Sequence, residues 1–362
     1  MNHNQSPSPY RFLRSDIIEL LSSDDLFSVA DSLPTRASFA KTMLELGEKN
    51  PQVVVLDADV SKSIGTNKFA EKFPERSFNF GIAEQNMMAS AAGMATTGLV
   101  PFACTYAVFA SLRALDMVRN SIHYPRLNVK IAASHSGITP GPDGVTHQGQ
   151  EDLSIMRSIA NSTVIAPADP TSTEKAVWAA SEYVGPVYLS FTRDPVPFIY
   201  TDDFPFEIGK AVTIRSGKSV TIIANRDLVI QALVAAEKLA AEGIDTRVID
   251  CHTLKPLDVE SILKAAKETG AIVTAENNVF YGGLGSAVAE VLVENHPIPM
   301  QRIGVRDTFA ESGPYLEIID KYGLTARHIV AAVKTVLTRK EKVLGGSYKE
   351  YPGLENTQSL GD

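Results

Sequence analysis

The chain has 362 residues, 44% apolar and 21% charged, and a formal net charge of −8 at pH 7. That is the balance of an ordinary soluble globular protein, long enough for two domains of roughly 100–200 residues each. The acidic surplus argues against nucleic acid or an anionic membrane as the main partner, and two cysteines, Cys104 and Cys251, both in apolar segments, read as reduced core residues of a cytoplasmic protein rather than a disulfide framework.

Met1 to Pro9 is polar and turn-rich, without the apolar core of a signal peptide. Asp16 to Leu21 is a short amphipathic pattern with no obvious core role. Helix and strand signals then alternate. Thr35 to Lys49 has helical periodicity and opens on a capping Thr. Val53 to Leu56 is a wholly apolar strand ending at Asp57. Gln85 to Gly98 and Leu112 to Ile122 read as helices, and Val129 to Ala133 as a buried strand followed by a Gly/Pro loop from Ser134 to Gly149. Strands are expected at Thr163–Ala166 and Val187–Phe191, with a helix at Thr173–Tyr183 between them. Near Pro195 to Lys210 the pattern breaks, and the cycle restarts. Strands at Val220–Ala224, Arg247–Asp250, Ala271–Ala275 and Met300–Gly304 alternate with helices at Asp227–Ala241, Val259–Lys267 and Gly285–Glu294. A last helix spans Ala326–Leu337. Short apolar strands between helices predict an α/β fold of two tandem open-sheet units, mostly parallel, with helices on both faces.

Phe80-Gly81-Ile82-Ala83-Glu84-Gln85-Asn86-Met87 is the most informative stretch. Its Glu84 stands at the mouth of a segment, Gln85 to Leu112, without a single charged residue. A carboxylate buried there with no charged partner suits a group that exchanges protons near neutrality. A first-turn Glu serving the helix dipole is the plainer alternative. The segment is interrupted by Gly93, Gly98 and Pro101, too often for a membrane span, and tight packing against other protein explains it better. The Ser134–Gly149 loop follows a buried strand directly, so it sits at the carboxyl edge of a parallel sheet, where ligands bind. It carries His135, Asp143 and His147 at no ordinary zinc spacing. Neutral or protonated imidazoles hydrogen-bonding a polar, phosphorylated substrate fit it better. Tyr281 to Ser286 is glycine-rich, and close helix packing accounts for it better than a phosphate cradle.

Gly81-Ile82-Ala83-Glu84-Gln85-Asn86, the His135–Gly149 loop and Leu189-Ser190-Phe191-Thr192-Arg193 together resemble thiamine-diphosphate enzymes of the transketolase family, over residues 35–340. The resemblance implies an N-terminal extension (1–34), a pyrimidine-binding domain (35–200), a transketolase-type C-terminal domain (211–340) and a polar tail (341–362). It implies a two-carbon ketol transfer between phosphorylated sugars, with Glu84 and His147 as the catalytic pair. Glu84 would hydrogen-bond the cofactor's aminopyrimidine and favour the imino form that removes the thiazolium proton. Phe109 and Tyr106 would supply rings around that pyrimidine, Phe109 as stacking partner. Leu112 stands where transketolases often add another aromatic. Asp59 matches an Asp near the cofactor's ring system. Arg36, Ser63, His135 and Arg193 match the residues that hold the acceptor's phosphate, while Asp143 and His147 match contacts to sugar hydroxyls near the reacting carbons.

No Gly-Asp-Gly occurs, the family's diphosphate and metal motif, and the segment before Thr35 is too short for the domain that carries it. The resemblance therefore implies half of a split enzyme. A second, diphosphate-binding N-terminal-type chain would hold thiamine diphosphate's tail and magnesium (or calcium), in a heterotetramer of two plus two. The charge-depleted Gln85–Leu112 surface is the expected contact, and residues 1–34 could brace the partner. Half of a deoxyxylulose-phosphate-synthase-like or 2-oxo-acid-dehydrogenase beta-type enzyme stays open, as does a catalytically silent assembly subunit. His135 beside Ser136-Gly137 favours the transketolase pattern over the synthase pattern.

Overall fold

A computed structural model describes residues 8–344 of the chain. Of the expected tail, 341–362, residues 341–344 continue the last helix, Ala326–Leu344, and the remainder lies outside the described residues.

Two sheets organise the protein. The first has seven strands in the order Thr253–Lys255, Thr163–Ile165, Val187–Ser190, Lys130–Ser134, Val100–Tyr106, Val53–Asp57, Ser77–Asn79. All neighbours are parallel except the first pair. The second sheet has five, ordered Met300–Val305, Ile272–Val279, Val220–Ala224, Thr246–Asp250, Val212–Arg215, parallel except for the last. Wholly apolar runs such as Val53–Leu56 form strands because both sheet faces are covered. On one face of the first sheet, helices Thr35–Lys49 and Pro170–Glu182 bury Phe39, Met43, Ala176 and Val177 against Val55 and Phe102. On the other, Met87, Met88, Ala91 and Val118 share one core with Ile249, Cys251 and Leu284 of the second unit. The two units are thus joined by apolar packing as well as by sequence.

Several expectations change in detail. Val100–Tyr106, within the uncharged run, is a buried interior strand of the first sheet. Pro101 lies near its start, where a missing N–H costs little. The helix expected from Leu112 begins earlier and is wider, with π-helical turns at Phe109–Arg113 and Val118–His123 around an α turn at Leu115–Met117. Thr35 does not cap its helix; Pro34 holds the cap position, and the Thr35 hydroxyl accepts the Thr192 N–H at 2.7 Å.

Asp16–Leu21 does have a core role. Helix Ser15–Leu20 presents Ile17 to the core around the second sheet, and Leu21 and Leu26 follow it in. The backbone before it is tied down as well, with Arg11 N donating to Ile214 O at 2.9 Å and Arg14 N to Ile199 O at 3.0 Å. In the glycine tract, Leu284 and Gly285 donate their N–H groups to the buried Glu276 carboxyl at 2.7 and 2.8 Å. Burial pushes that carboxyl up to about 7. A Cβ on Gly283 would stand 2.0 Å from Glu276 Oε2, so close approach requires the glycine. No helix among the described residues is long and apolar enough to cross a membrane.

Candidate active site

The carboxyl ends of the first sheet's strands lie side by side: Asp57 is level with Asn79 and Cys104, Tyr106 with Ser134, and Ala133 with Ser190. At this edge the chain leaves each strand into a segment that carries candidate polar residues. Asp59, at φ 63°, and His135, at φ 62°, are both in the left-handed region that non-glycine residues seldom adopt, and such conformations collect at functional sites.

Glu84 opens helix Glu84–Ala95 and is 1% exposed. Its helix is drawn inward by Met87, Met88, Ala91 and Ala92, which carries the carboxylate down with them. The expectation that it lacks a charged partner is not met. Arg113 Nη1 donates to both carboxylate oxygens at 3.0 Å, and its guanidinium lies 4.2 Å from the centre of the Phe109 ring. Arg113 is the first charge after the uncharged run, and the π-helical turn from Phe109 brings it back over Glu84. A buried carboxylate needs such a partner.

Beyond Arg113 the rings continue. Tyr106 stacks on Phe109 with centroids 5.6 Å apart and on His135 at 3.8 Å, while His147 meets Phe109 edge-on at 5.7 Å. His135 is buried, with Nδ1 2.9 Å from Ser134 Oγ. Burial, and then the charges of Arg36, Arg193 and His147, pull its pKa down to about 2. These effects all favour the neutral form of the His135 ring. The Asp143 carboxylate 3.7 Å from His135 Nε2 makes neither an ion pair with a neutral ring nor a hydrogen bond.

Two guanidiniums face this loop. Arg36 Nη1 donates to the Ser63 carbonyl and to Ser63 Oγ, the latter at 3.0 Å, and Tyr106 OH donates to the same Oγ at 2.9 Å. Arg193 Nε pairs with Asp143 at 3.0 Å and its Nη1 with Asp194 at 3.3 Å. Thr35 and Thr192, bonded across helix start and strand end, bring these neighbours together. The Arg36 pKa is lowered, first by burial and then by the charge of Arg193. Burial raises the Asp194 carboxyl, whose Oδ2 has no hydrogen-bond partner among the described residues. Asp59 is held more loosely. It accepts from Asn79 at 3.3 Å and lines a cavity of about 340 Å³ with Ser63 and Tyr106.

Sequence reasoning missed Arg113, Asp194 and the Thr35–Thr192 link. Only Arg113 left a signal, as the charge that ends the uncharged run.

Two family descriptions match the chain: the transketolase pyrimidine-binding domain over residues 31–197 and the transketolase C-terminal domain over 209–329. The chain belongs to the transketolase family. It is 43% identical over 305 residues to the 6-deoxy-6-sulfo-D-fructose transketolase subunit SqwH of Clostridium sp. (strain MSTE9), covering 84% of this chain and 95% of that one. It is 45% identical over 301 residues to a putative transketolase C-terminal section of Methanocaldococcus jannaschii, covering 82% and 94%. A solved split-gene transketolase, an inactive β4 tetramer, superposes with a TM-score of 0.79 at 49% identity over 86% of this chain and all of that one. Transketolases as a family depend on thiamine diphosphate, and the split members act as subunits.

Proposed function

We propose that this chain is the pyrimidine-binding half of a split transketolase that transfers a two-carbon ketol unit between phosphorylated sugars. The placement of Arg36, bonded to Ser63, and Arg193, paired with Asp143, near the buried His135, beside a buried Glu84 under an aromatic face, carries the proposal. Two mutually repelling guanidiniums are relieved by a dianion, and Arg presents paired donors to one.

The residues present fit the pyrimidine end of thiamine diphosphate. Arg113 already lays a planar group on Phe109 and donates from one nitrogen to Glu84, and a flat aminopyrimidine would take the same face, its ring nitrogen bonding Glu84 when one of the two carries a proton. Glu84, Phe109 and Tyr106, with Asp59 nearby, would hold that ring. Bound thiamine diphosphate supplies the carbanion chemistry. Glu84, once Arg113 had moved aside, would hold or give up a proton at the pyrimidine ring nitrogen. Arg36, Ser63, His135 and Arg193 grip the sugar's terminal anion, for which Arg193 exchanges Asp143. Asp143 and His147 then meet sugar hydroxyls, with His147 managing a proton near the reacting carbons. A partner chain in a cytoplasmic two-plus-two assembly would hold the diphosphate and magnesium or calcium. The inactive β4 form of the solved relative supports the need for that partner.

The test is reconstitution with a diphosphate-binding subunit. Ketol transfer is expected only from the mixture, and Glu84→Gln should lower turnover by about two to four orders of magnitude while assembly survives. Transfer by this chain alone, or near-normal Glu84→Gln turnover, sinks the proposal. Arg193→Ala should cost about 2–3 kcal/mol with a phosphorylated acceptor, mostly in KM, and little with its unphosphorylated analogue. Equal losses would remove Arg193 from the anion site. A sulfonated ketose donor, suggested by the name of the clostridial relative, belongs in a parallel series beside its phosphorylated counterpart, and preference for the sulfonate would replace the phosphorylated class.

A further inference from the structure

The Ser134–Gly149 loop hangs from the first sheet, yet its course is fixed by the second unit. Asn277, fully buried in strand Ile272–Val279, accepts the Ile138 N–H on its side-chain oxygen at 3.0 Å. A Cβ on Gly137 would stand 2.3 Å from the Asn277 carbonyl oxygen, so only glycine, here at φ 61°, lets the loop approach this near. Further along, Gly313 N donates to Gly141 O at 3.3 Å, and Gln148 Nε2 donates to Glu311 O at 3.2 Å. Just past the loop, Val279 N donates to Gln150 O at 2.7 Å.

Asn277 is itself braced from behind. Its Nδ2 donates to Asp227 at 2.7 Å, and the Tyr315 hydroxyl donates to the same carboxylate. Arg226, fully buried, donates to the Asn277 carbonyl and to Ser190 Oγ, the latter at 2.9 Å, and lies 3.7 Å from Asp152. Asp152 in turn accepts from Tyr188 and Ser190, both at 3.0 Å. Stability alone does not call for so polar a seam, since well-packed apolar side chains do as well or better. What the polar groups add is direction: the Asn277 amide is locked with its oxygen toward the loop.

We propose that Asn277 is a positioning residue whose bond to Ile138 holds His135 and His147 in place, so that the second unit acts as a template for the sugar-binding end of the site. The inference rests on reading this loop as the sugar-binding segment. It is tested by hydrogen–deuterium exchange on the full chain and by kinetics of the reconstituted enzyme. Asn277→Ala should speed amide exchange across 136–149 about tenfold, the scale of one net hydrogen bond, with the strands of both sheets unchanged. Gly137→Ala forces the same contact apart from the loop side with Asn277 intact, and should loosen the same segment even if Asn277→Ala fails to fold. In the reconstituted enzyme either variant should raise KM for a phosphorylated acceptor about tenfold with a smaller change in kcat. Unchanged loop exchange, or exchange raised evenly through both sheets, overturns the proposal. So does a loosened loop with unaltered KM in an enzyme whose wild type is active. A wild-type mixture without ketol transfer would instead remove the functional reading, and the exchange data alone would then decide whether Asn277 holds the loop.

Discussion

Replacing Arg113 with Met keeps a straight apolar stem over Phe109 and removes the guanidinium from Glu84. The carboxylate side chain is 2% exposed and the Arg113 side chain 40%. Stripping one partner from a fully buried pair costs about 3–5 kcal/mol, because a charge is left uncompensated. Arg113 reaches water, so solvent can replace part of what it supplied, and the loss should fall nearer 2–3 kcal/mol. Losing the cation–π contact at a half-open site adds about 0.5–1 kcal/mol. Urea denaturation of Arg113→Met, Glu84→Gln and the double variant would measure this, at one protein concentration because self-association shifts apparent stability. The double variant should be more stable than Arg113→Met alone, since no buried charge remains unpaired. A single-variant loss below about 0.5 kcal/mol, the range of ordinary surface changes, would refute the reasoning, as would a double variant whose loss equals the sum of the singles.

Two further perturbations probe other parts of the argument. His135 has a folded pKa of about 2 against roughly 6.5 unfolded, so below pH 6.5 the unfolded chain takes up a proton that the folded one refuses. Its contribution to stability is constant above that pH and falls as pH drops, by at most about 1.4 kcal/mol per unit; His135→Gln should therefore lose less stability than the wild type between about pH 6.5 and 4, and identical denaturation slopes would show that the ring titrates freely. Leu21 is fully buried against the second sheet, so Leu21→Ala should cost about 2–5 kcal/mol, and a loss under about 1 kcal/mol would return the N-terminal segment to a peripheral role.

Alternating elements were legible where both faces of a strand are apolar, as in Val53–Leu56 and Val220–Ala224. They were hidden where a strand breaks that rule. Val100–Tyr106 carries a proline and ends in Thr105 and Tyr106, and Ser77–Asn79 is only three residues long, sets Phe78 between Ser and Asn, and forms the sheet's exposed edge. The candidate residues Arg36, Ser63, Tyr106, Phe109, His135, Asp143, His147 and Arg193 prove to be spatial neighbours, which no spacing along the chain could reveal without the family resemblance. The Glu84–Arg113 pair was out of reach for a different reason. It depends on a π-helical turn, and the width of a helical turn is set by tertiary packing, not by local periodicity. Asn277 lies in a segment that reads only as the end of a strand, and its part depends on how the two units meet.

Strand Thr253–Lys255 belongs by sequence to the second unit and by hydrogen bonding to the first, where it runs antiparallel to Thr163–Ile165. Lys255 reinforces the graft by donating to Arg157 O at 3.0 Å and Ile159 O at 2.6 Å. A chimera that exchanges the second unit between relatives at the connecting segment would therefore transplant an edge strand of the first sheet along with it. A fragment cut there would uncover a raw edge ready to pair with another copy. Recombination of these chains has to respect a seam that does not coincide with the point where the sequence pattern breaks.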